Sequence, residues 1–325
     1  MISVAIATYN GEKYIEKQLR SVLTQTKRPD EIIISDDVST DRTLEIIREI
    51  CREEYEQDTP VNIKIIENEK NQGYIRNFRT ALEACRGNVI FLCDQDDIWL
   101  PEKIARMTSL MEKYPQIQAL ASSFSMIDGE GKALPDYDRK GTRNQKLMKR
   151  QVPVNKIAEI PTRELIYHNF CQGCAMAFTA EVRDRFLAHF TPEIAHDWQL
   201  NLLASVMGGT YFYNRKLFRY RIHENNTTGM AEGQDIEKKK TREVRMTVPR
   251  QGLANLNYLK KNYPQIFRQD KSLQKRLRFT EKNLQAMQKR RFFALLGQNL
   301  NPFYAEMKSF LGRMLDLWYV VKRSG

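Results

Sequence analysis

Short runs of β-branched and aliphatic residues alternate, through the first half of the chain, with stretches whose apolar positions recur every three or four residues. The runs at 3–8, 31–35, 61–66, 88–93 and 119–125 predict strands. Between them Ile15, Leu19, Val22 and Leu23, then Leu44, Ile47 and Ile50, then Phe78, Ala81 and Leu82 fall at helical spacing. Alternation of this kind builds βαβ units, and an α/β layered fold with a mainly parallel sheet flanked by helices is expected.

From residue 252 onward the pattern becomes helical throughout, with Leu253, Leu256, Leu259, Leu273, Leu277, Leu284 and Met287 as the apolar positions. The last segment carries a denser stripe of Phe303, Met307, Phe310, Leu311, Met314, Leu315, Trp318 and Val321. Such a stripe either packs on the body of the protein or lies in a membrane interface, where Trp318, Tyr319, Phe292 and Phe293 beside Lys289, Arg290, Arg291, Arg313, Lys322 and Arg323 would suit it.

Charge separates the same two regions. The formal net charge is +12, but residues 238–325 hold 21 basic and 5 acidic residues, a balance of +16 that leaves −4 for residues 1–237. We therefore expect a near-neutral domain over 1–237 and a basic helical extension over 238–325, the latter drawn to an anionic surface. Five cysteines make a poor disulfide framework and point to a reducing compartment. Residues 1–10 lack the basic start and long apolar run of a signal peptide, and no apolar run reaches the roughly 18 residues of a membrane span. A cytoplasmic location follows as the expectation, with peripheral contact at the inner face of the plasma membrane.

In open α/β sheets, ligands bind beyond the carboxyl ends of the strands. Three of the predicted strands end in polar sequences there: Thr8-Tyr9-Asn10-Gly11, Asp36-Asp37-Val38-Ser39-Thr40-Asp41, and Asp94-Gln95-Asp96-Asp97. Three clustered carboxylates repel one another unless a cation or hydrogen-bond donors compensate them, and hard oxygen ligands suit Mg²⁺ or Mn²⁺. The plainer alternative is a solvated acidic turn capping the helix that starts near Pro101. Ser39, Thr40 and Asp41 are good N-cap residues for the helix through Leu44, whereas Asp36 or Asp37 could accept a hydrogen bond from a nucleobase.

The ordered set Ala7-Thr8-Tyr9-Asn10, Ser35-Asp36-Asp37-Val38-Ser39-Thr40-Asp41-Arg42-Thr43, Asn71-Gln72-Gly73 and Asp94-Gln95-Asp96-Asp97-Ile98-Trp99 resembles family 2 glycosyltransferases of the GT-A fold. With Asn77-Phe78 it is most similar to bacterial rhamnosyltransferases and related enzymes of surface-polysaccharide assembly, over about residues 1–230. The resemblance implies a nucleotide-diphosphate sugar donor, with dTDP-rhamnose preferred and a UDP-hexose as the alternative. The acceptor it implies is a saccharide, free or linked to polyprenyl diphosphate.

It also implies roles for single residues. Thr8, Tyr9, Asn10 and Asp37, with Asp36 as the alternate, would hold the nucleotide; Arg76 or Asn77 would lie near it; Asp94 would approach the ribose; and Asp96 with Asp97 would hold the metal. Asp197 matches the family's catalytic Asp and would act as the base of an inverting transfer, although His196 stands where many members have Glu. Val38 stands where many have Gly.

The segment 170–178 is rich in small residues and is implied to face the acceptor, while Cys171-x-x-Cys174 lacks the second ligand pair a structural zinc site needs. In Tyr220-Arg221-Ile222-His223, strand alternation places Arg221 and His223 on one face, where they would meet the diphosphate and complete the metal's ligands. A nucleotidyltransferase would be expected to open with a Gly-rich phosphate loop after the first strand, which Thr8-Tyr9-Asn10-Gly11 is not. A basic nucleic-acid-binding protein would leave the acidic strand ends unexplained, so no nucleic-acid partner is expected.

Overall fold

A computed structural model describes residues 1–135, 152–169, 171–224, 226 and 242–322. These residues divide into two compact units, Met1–Ile160 with Phe170–Glu232, and Pro161–Asn169 with Gly233–Gly325.

The first unit is built on a sheet. Its opening strands are β1 (Ile2–Thr8), β2 (Glu31–Asp36), β3 (Asn62–Glu67) and β4 (Val89–Asp94), all parallel in the order β3-β2-β1-β4. β1 and β2 are buried nearly throughout, which explains their continuous apolar runs, whereas the edge strand β3 buries only Ile63 and leaves its other residues exposed or half-buried. Between the strands run α1 (Ile15–Leu23), α2 (Thr43–Tyr55) and α3 (Tyr74–Ala84). Ile15, Leu19, Val22, Leu23, Ile47, Ile50, Phe78, Ala81 and Leu82 are buried, as the spacing predicts, and Leu44 is half-buried.

Beyond β4 the sheet changes direction. β8 (Met176–Thr179) pairs antiparallel with both β4 and β6 (Ala119–Ile127), and β9 (Thr210–Arg221) lies parallel to β6. The two-residue β5 (Ile98–Trp99) and β7 (Ile157–Ile160) pair with β9. Helices α4 (Lys103–Lys113), α6 (Ala180–Ala188) and α7 (His196–Met207) complete this unit. The short antiparallel strands β5, β7 and β8 lie outside the five runs that the pattern predicts. Two to four residues carry too little alternation to be read.

The second unit is helical: α8 (Arg242–Asn262), α9 (Pro264–Gln269), α10 (Lys271–Gln288), α11 (Phe292–Gln298), α12 (Pro302–Met307) and α13 (Phe310–Val321), together with α5 (Thr162–Leu165). Met246, Leu284, Ala286, Met287, Leu295, Leu317 and Val320 form its core. Residues 161–169, which the sequence pattern leaves in the first domain, cluster with these helices. The Tyr167 hydroxyl lies 2.8 Å from Thr280 Oγ1, and Asn255 donates to the Ile166 carbonyl at 2.9 Å. Gly252 makes this approach possible, since a Cβ there would lie 2.4 Å from the Tyr167 ring. No helix among the described residues is long and apolar enough to cross a membrane.

Candidate active site

Parallel pairing brings the carboxyl ends of β2, β1 and β4 to one edge of the sheet, with Thr8 in register with Asp36 and Ala7 with Asp94. Both acidic groups at the end of β2, Asp36 and Asp37, are buried and locally bonded. Asp36 accepts from Thr8 Oγ1 at 2.8 Å, from Ser39 Oγ at 2.6 Å and from the Ser39 N–H at 2.8 Å. Asp37 accepts from Asn68 Nδ2 at 3.0 Å and from the N–H groups of Gln72 at 2.9 Å and Gly73 at 2.8 Å.

Asn68 also donates to Asn77 Oδ1 at 2.9 Å, and Asn77 donates to the Thr8 carbonyl at 3.1 Å. This network fixes the end of β1 against the turn that opens α3. Asn77 therefore lies inside the frame, while Arg76 in the next position is exposed.

Tyr9 is exposed, and its backbone is held in both directions by the Gln95 side chain, at 2.9 and 3.0 Å. A Cβ on Gly11 would lie 2.3 Å from that same amide, so a larger residue at 11 would displace the Gln95 side chain that links the first loop to the acidic loop. Asn10 accepts the Thr40 N–H at 2.8 Å and donates its own N–H to Ser39 at 2.9 Å. Asp41 accepts from the Thr43 N–H at 3.0 Å and the Glu12 N–H at 3.0 Å, so it serves the turn and helix start. Val38 sits at φ +67°, a left-handed conformation that a β-branched residue adopts only under strain.

The acidic loop divides into an open and a closed side. On the open side Asp96 Oδ2 lies 2.9 Å from His223 Nε2, joining residues 127 positions apart in sequence. On the closed side Asp97 is 1% exposed. Its Oδ1 accepts the Arg221 N–H at 2.9 Å, while its Oδ2 is buried with no hydrogen-bond partner. Asp94 Oδ, Asp97 Oδ and Cys174 Sγ all lie within 4.8 Å of one another.

Burial, and then the Asp96 charge, push Asp94 up to about 7. The same two causes, with Asp94 added, hold Asp97 well above the ordinary carboxylate range. Beneath this cluster lies Lys103, fully buried, donating to the Cys174 carbonyl. Its ammonium packs over the rings of Trp99 at 4.0 Å and Phe218 at 4.4 Å. Burial lowers it to about 8, opposed by the nearby acids.

Lys103 is a buried neighbour of the acidic cluster that sequence reasoning misses. Following Pro101-Glu102 it reads as the exposed start of a helix, and only the distant Trp99, Cys174 and Phe218 enclose it.

Arg221, expected at a diphosphate, is turned into the protein. Its Nε donates to the Asp96 carbonyl at 2.7 Å, and one Nη donates to the carbonyls of Asp128 and Gly129, each at 3.1 Å. The guanidinium lies 4.7 Å from the Tyr14 ring centroid, and the His223 ring lies 4.8 Å from the same ring. Tyr14, a second residue the pattern does not flag, thus sets both basic groups. Its signal, an aromatic residue one position before the apolar helix repeat, is that of an ordinary core position.

On the other side of the cluster Asp197 occupies the first turn of α7. Its Oδ1 accepts the Trp198 N–H at 2.7 Å, and its charge is among those that raise Asp94. His196 beside it is buried, stacked on Phe78 at 4.3 Å and edge-on to Tyr74 at 5.9 Å. Burial drives its imidazole down to about 3, so it is neutral and packs as a ring in the place where many family members carry Glu. A Cβ on Gly173 would lie 3.1 Å from His196 Nε2 and 3.7 Å from Asp197 Cβ. The small residues of 171–177 thus allow this wall to close on α7.

The residues present fit a divalent cation. Asp96 and His223 offer oxygen and nitrogen side by side, and the orphaned Asp97 Oδ2 is an acceptor still lacking a positive partner.

A mainly parallel sheet with acidic strand ends, closed by a returning antiparallel strand, is the architecture of the GT-A fold. Solved structures agree in fold. The chain matches Staphylococcus aureus TarS 1–349 in complex with UDP-GlcNAc at TM-score 0.56 and 17% identity, covering 98% of this chain and 91% of that one. It matches the mannosyltransferase PcManGT from Pyrobaculum calidifontis, in complex with GDP-Man and Mn²⁺, at TM-score 0.52 and 16% identity, over 98% and 84%.

The family model of Glycosyl transferase family 2 matches residues 3–181, and the chain belongs to that family of glycosyltransferases. A dTDP-rhamnosyl transferase, RfbG of Shigella flexneri, is 29% identical over 236 residues, 69% of this chain and 73% of that protein.

Proposed function

We propose that the protein is an inverting, metal-dependent glycosyltransferase that moves a sugar from a nucleotide diphosphate to a saccharide acceptor of cell-surface polysaccharide synthesis. One observation carries this reading. Asp94 and Asp97 carboxylate oxygens lie within 4.8 Å of each other at the carboxyl edge, His223 is bonded to Asp96 in the loop between them, and Asp197 stands in the first turn of α7.

In this reading Thr8, Tyr9 and Asn10 border the nucleotide, with Asp36 and Asp37 setting the shape of its floor. Arg76, exposed at the start of α3, reaches toward it, and Asn77 acts through the frame. Asp94 approaches the ribose. Asp96 and His223 hold Mg²⁺ or Mn²⁺, and Asp97 faces the same site from within. Arg221 fixes the loop that carries Asp96. When bound, the cation neutralises charge on the leaving diphosphate.

The Asp197 carboxylate takes the proton of the acceptor hydroxyl as its oxygen attacks the anomeric carbon. The bond from that carbon to the diphosphate breaks on the opposite face, and the nucleoside diphosphate leaves with the electron pair. Preorganised charge around this leaving group supplies the largest share of the acceleration.

The likeness to a dTDP-rhamnosyl transferase favours dTDP-rhamnose as donor, and a UDP-hexose is the second reading, favoured by the UDP-GlcNAc complex of a fold neighbour. The acceptor is best placed on a polyprenyl diphosphate at the inner face of the plasma membrane, which gives the basic extension a purpose. The test is a thermal-shift panel of nucleotide sugars with and without Mn²⁺. A rise with one nucleotide sugar that grows on adding Mn²⁺ is expected, and no response to any donor under either condition overturns the reading.

A further inference from the structure

Within the helical unit, apolar side chains divide between two opposite faces. Leu317 and Val320 of α13, with Leu295 of α11, enter the core. Leu311, Leu315, Trp318 and Lys322 recur at i, i+4, i+7 and i+11, a second stripe on the outer face of α13. Leu311 is 68% exposed and Trp318 50%, and on and after α11 Phe293 is 83% and Leu300 96% exposed. Phe310, Val321 and Leu296 add to them, so among the described residues half of the strongly exposed large hydrophobic side chains lie between 293 and 321. An apolar concentration of this size on a folded surface calls for a partner.

Charge selects which one. Between residues 289 and 322 only Glu306 and Asp316 are acidic, and both are neutralised internally. Glu306 pairs with Arg276 at 2.7 and 2.9 Å. Asp316 is fully buried against Arg245, Lys308 and the Tyr304 hydroxyl. The exposed charges of the segment are Lys289, Arg290, Arg291 and Lys322, and Lys322 lies 4.7 Å over the Trp318 ring. Exposed apolar rings and leucines bordered only by cations match the interface of an anionic bilayer: acyl chains accept the first, phosphate headgroups the second. A second copy of this face would bring like charges together.

We propose that the α11–α13 segment docks the protein on an anionic membrane surface, with Phe293, Leu296, Leu300, Leu311 and Trp318 entering the headgroup and acyl boundary and the four cations contacting phosphates. The docking rests on the glycosyltransferase reading for its purpose only. Vesicles without acceptor or nucleotide test it separately.

The test is flotation of the full chain with phosphatidylcholine vesicles, with and without about one quarter phosphatidylglycerol, at physiological salt. Trp318 fluorescence, isolated by comparison with Trp318→Phe, is read in parallel. Binding at least tenfold greater on the anionic vesicles is expected, with a blue shift that Trp318→Phe removes. The pair Leu311→Ser with Trp318→Ser, and the pair Arg290→Glu with Arg291→Glu, should each cut binding tenfold or more with the melting temperature lowered by no more than a few degrees, since Leu311 and Trp318 are at least half exposed and Arg290 and Arg291 are exposed.

Absence of binding to anionic vesicles overturns the proposal. So does a dimer in light scattering that the serine pair dissolves while vesicle binding is unchanged, because the face would then belong to a second copy.

Discussion

Two buried carboxylates, one in each unit, show how the same residue type is used differently. Asp316 in the helical unit is fully enclosed and every oxygen is met: Arg245, Lys308 at 2.7 Å and the Tyr304 hydroxyl at 2.7 Å. Asp97 in the sheet unit is as deeply buried, yet one oxygen has no hydrogen-bond partner, two further carboxylates stand beside it, and a neighbouring cation, Lys103, is itself under pressure to lose its proton. A saturated buried acid holds a fold together. An unsaturated one, kept beside others of its kind, stores electrostatic cost that a ligand can relieve. The comparison supports the proposed site in the sheet unit, whereas Glu306 and Asp316 of the basic helices are paired within the structure.

The contrast can be broken most sharply at the proposed base. Asp197→Asn should lower turnover by about 10²–10⁴-fold with little change in donor affinity, measured as single-turnover rates against donor titration. Loss of donor binding with unchanged chemistry would move Asp197 from the reaction to the frame.

Next in size is Asp316→Ala, which leaves Arg245 and Lys308 buried without a counter-charge and should cost about 3–5 kcal/mol in urea unfolding. The paired experiment is Lys103→Met. Asp97 is already biased toward its neutral form, so folding should change by no more than about 1–2 kcal/mol, while Mn²⁺-dependent donor affinity falls, on the order of tenfold. Equal losses in stability from both variants would erase the distinction between the two acids.

A pH experiment sharpens the same point. Asp94 is raised from 3.8 to about 7 in the folded protein without metal, so between those values the folded state binds more protons than the unfolded chain. Its contribution is therefore favourable below pH 3.8, is lost progressively as pH climbs to about 7, and is constant above that. Urea midpoints of the metal-free protein should decline across this window, and Asp94→Asn should flatten the decline. Smallest is Val38→Gly, which removes a left-handed β-branched residue and should stabilise the fold by about 1 kcal/mol.

The parallel strands and their helices were legible because a strand buried on both faces is written as a continuous apolar run and its covering helices as a 3.6-residue repeat. The acidic strand ends were legible because topology alone brings Thr8, Asp36 and Asp94 to one edge. What escaped depends on distant parts of the chain. Lys103 looks like a surface residue until Trp99, Phe218 and Cys174 close over it, and Tyr14 looks like core until Arg221 and His223 meet on its ring. Alternation on β9 suggests a shared face for Arg221 and His223. The strand ends at Arg221, however, and the guanidinium turns to backbone carbonyls while His223 reaches Asp96. In α13 the stripe was visible in sequence, but the inward positions are Leu317 and Val320, on the side where Asp316 is also buried.

The central claim is that Asp96 and His223 hold a divalent cation against a nucleotide diphosphate. Calorimetric titration of dTDP or UDP in the presence of Mn²⁺, on the wild-type protein and on Asp96→Asn, measures it directly. We expect nucleotide binding that Mn²⁺ strengthens at least tenfold and that Asp96→Asn returns to the metal-free value. Binding that is indifferent to Mn²⁺, or unchanged by Asp96→Asn, would contradict the account.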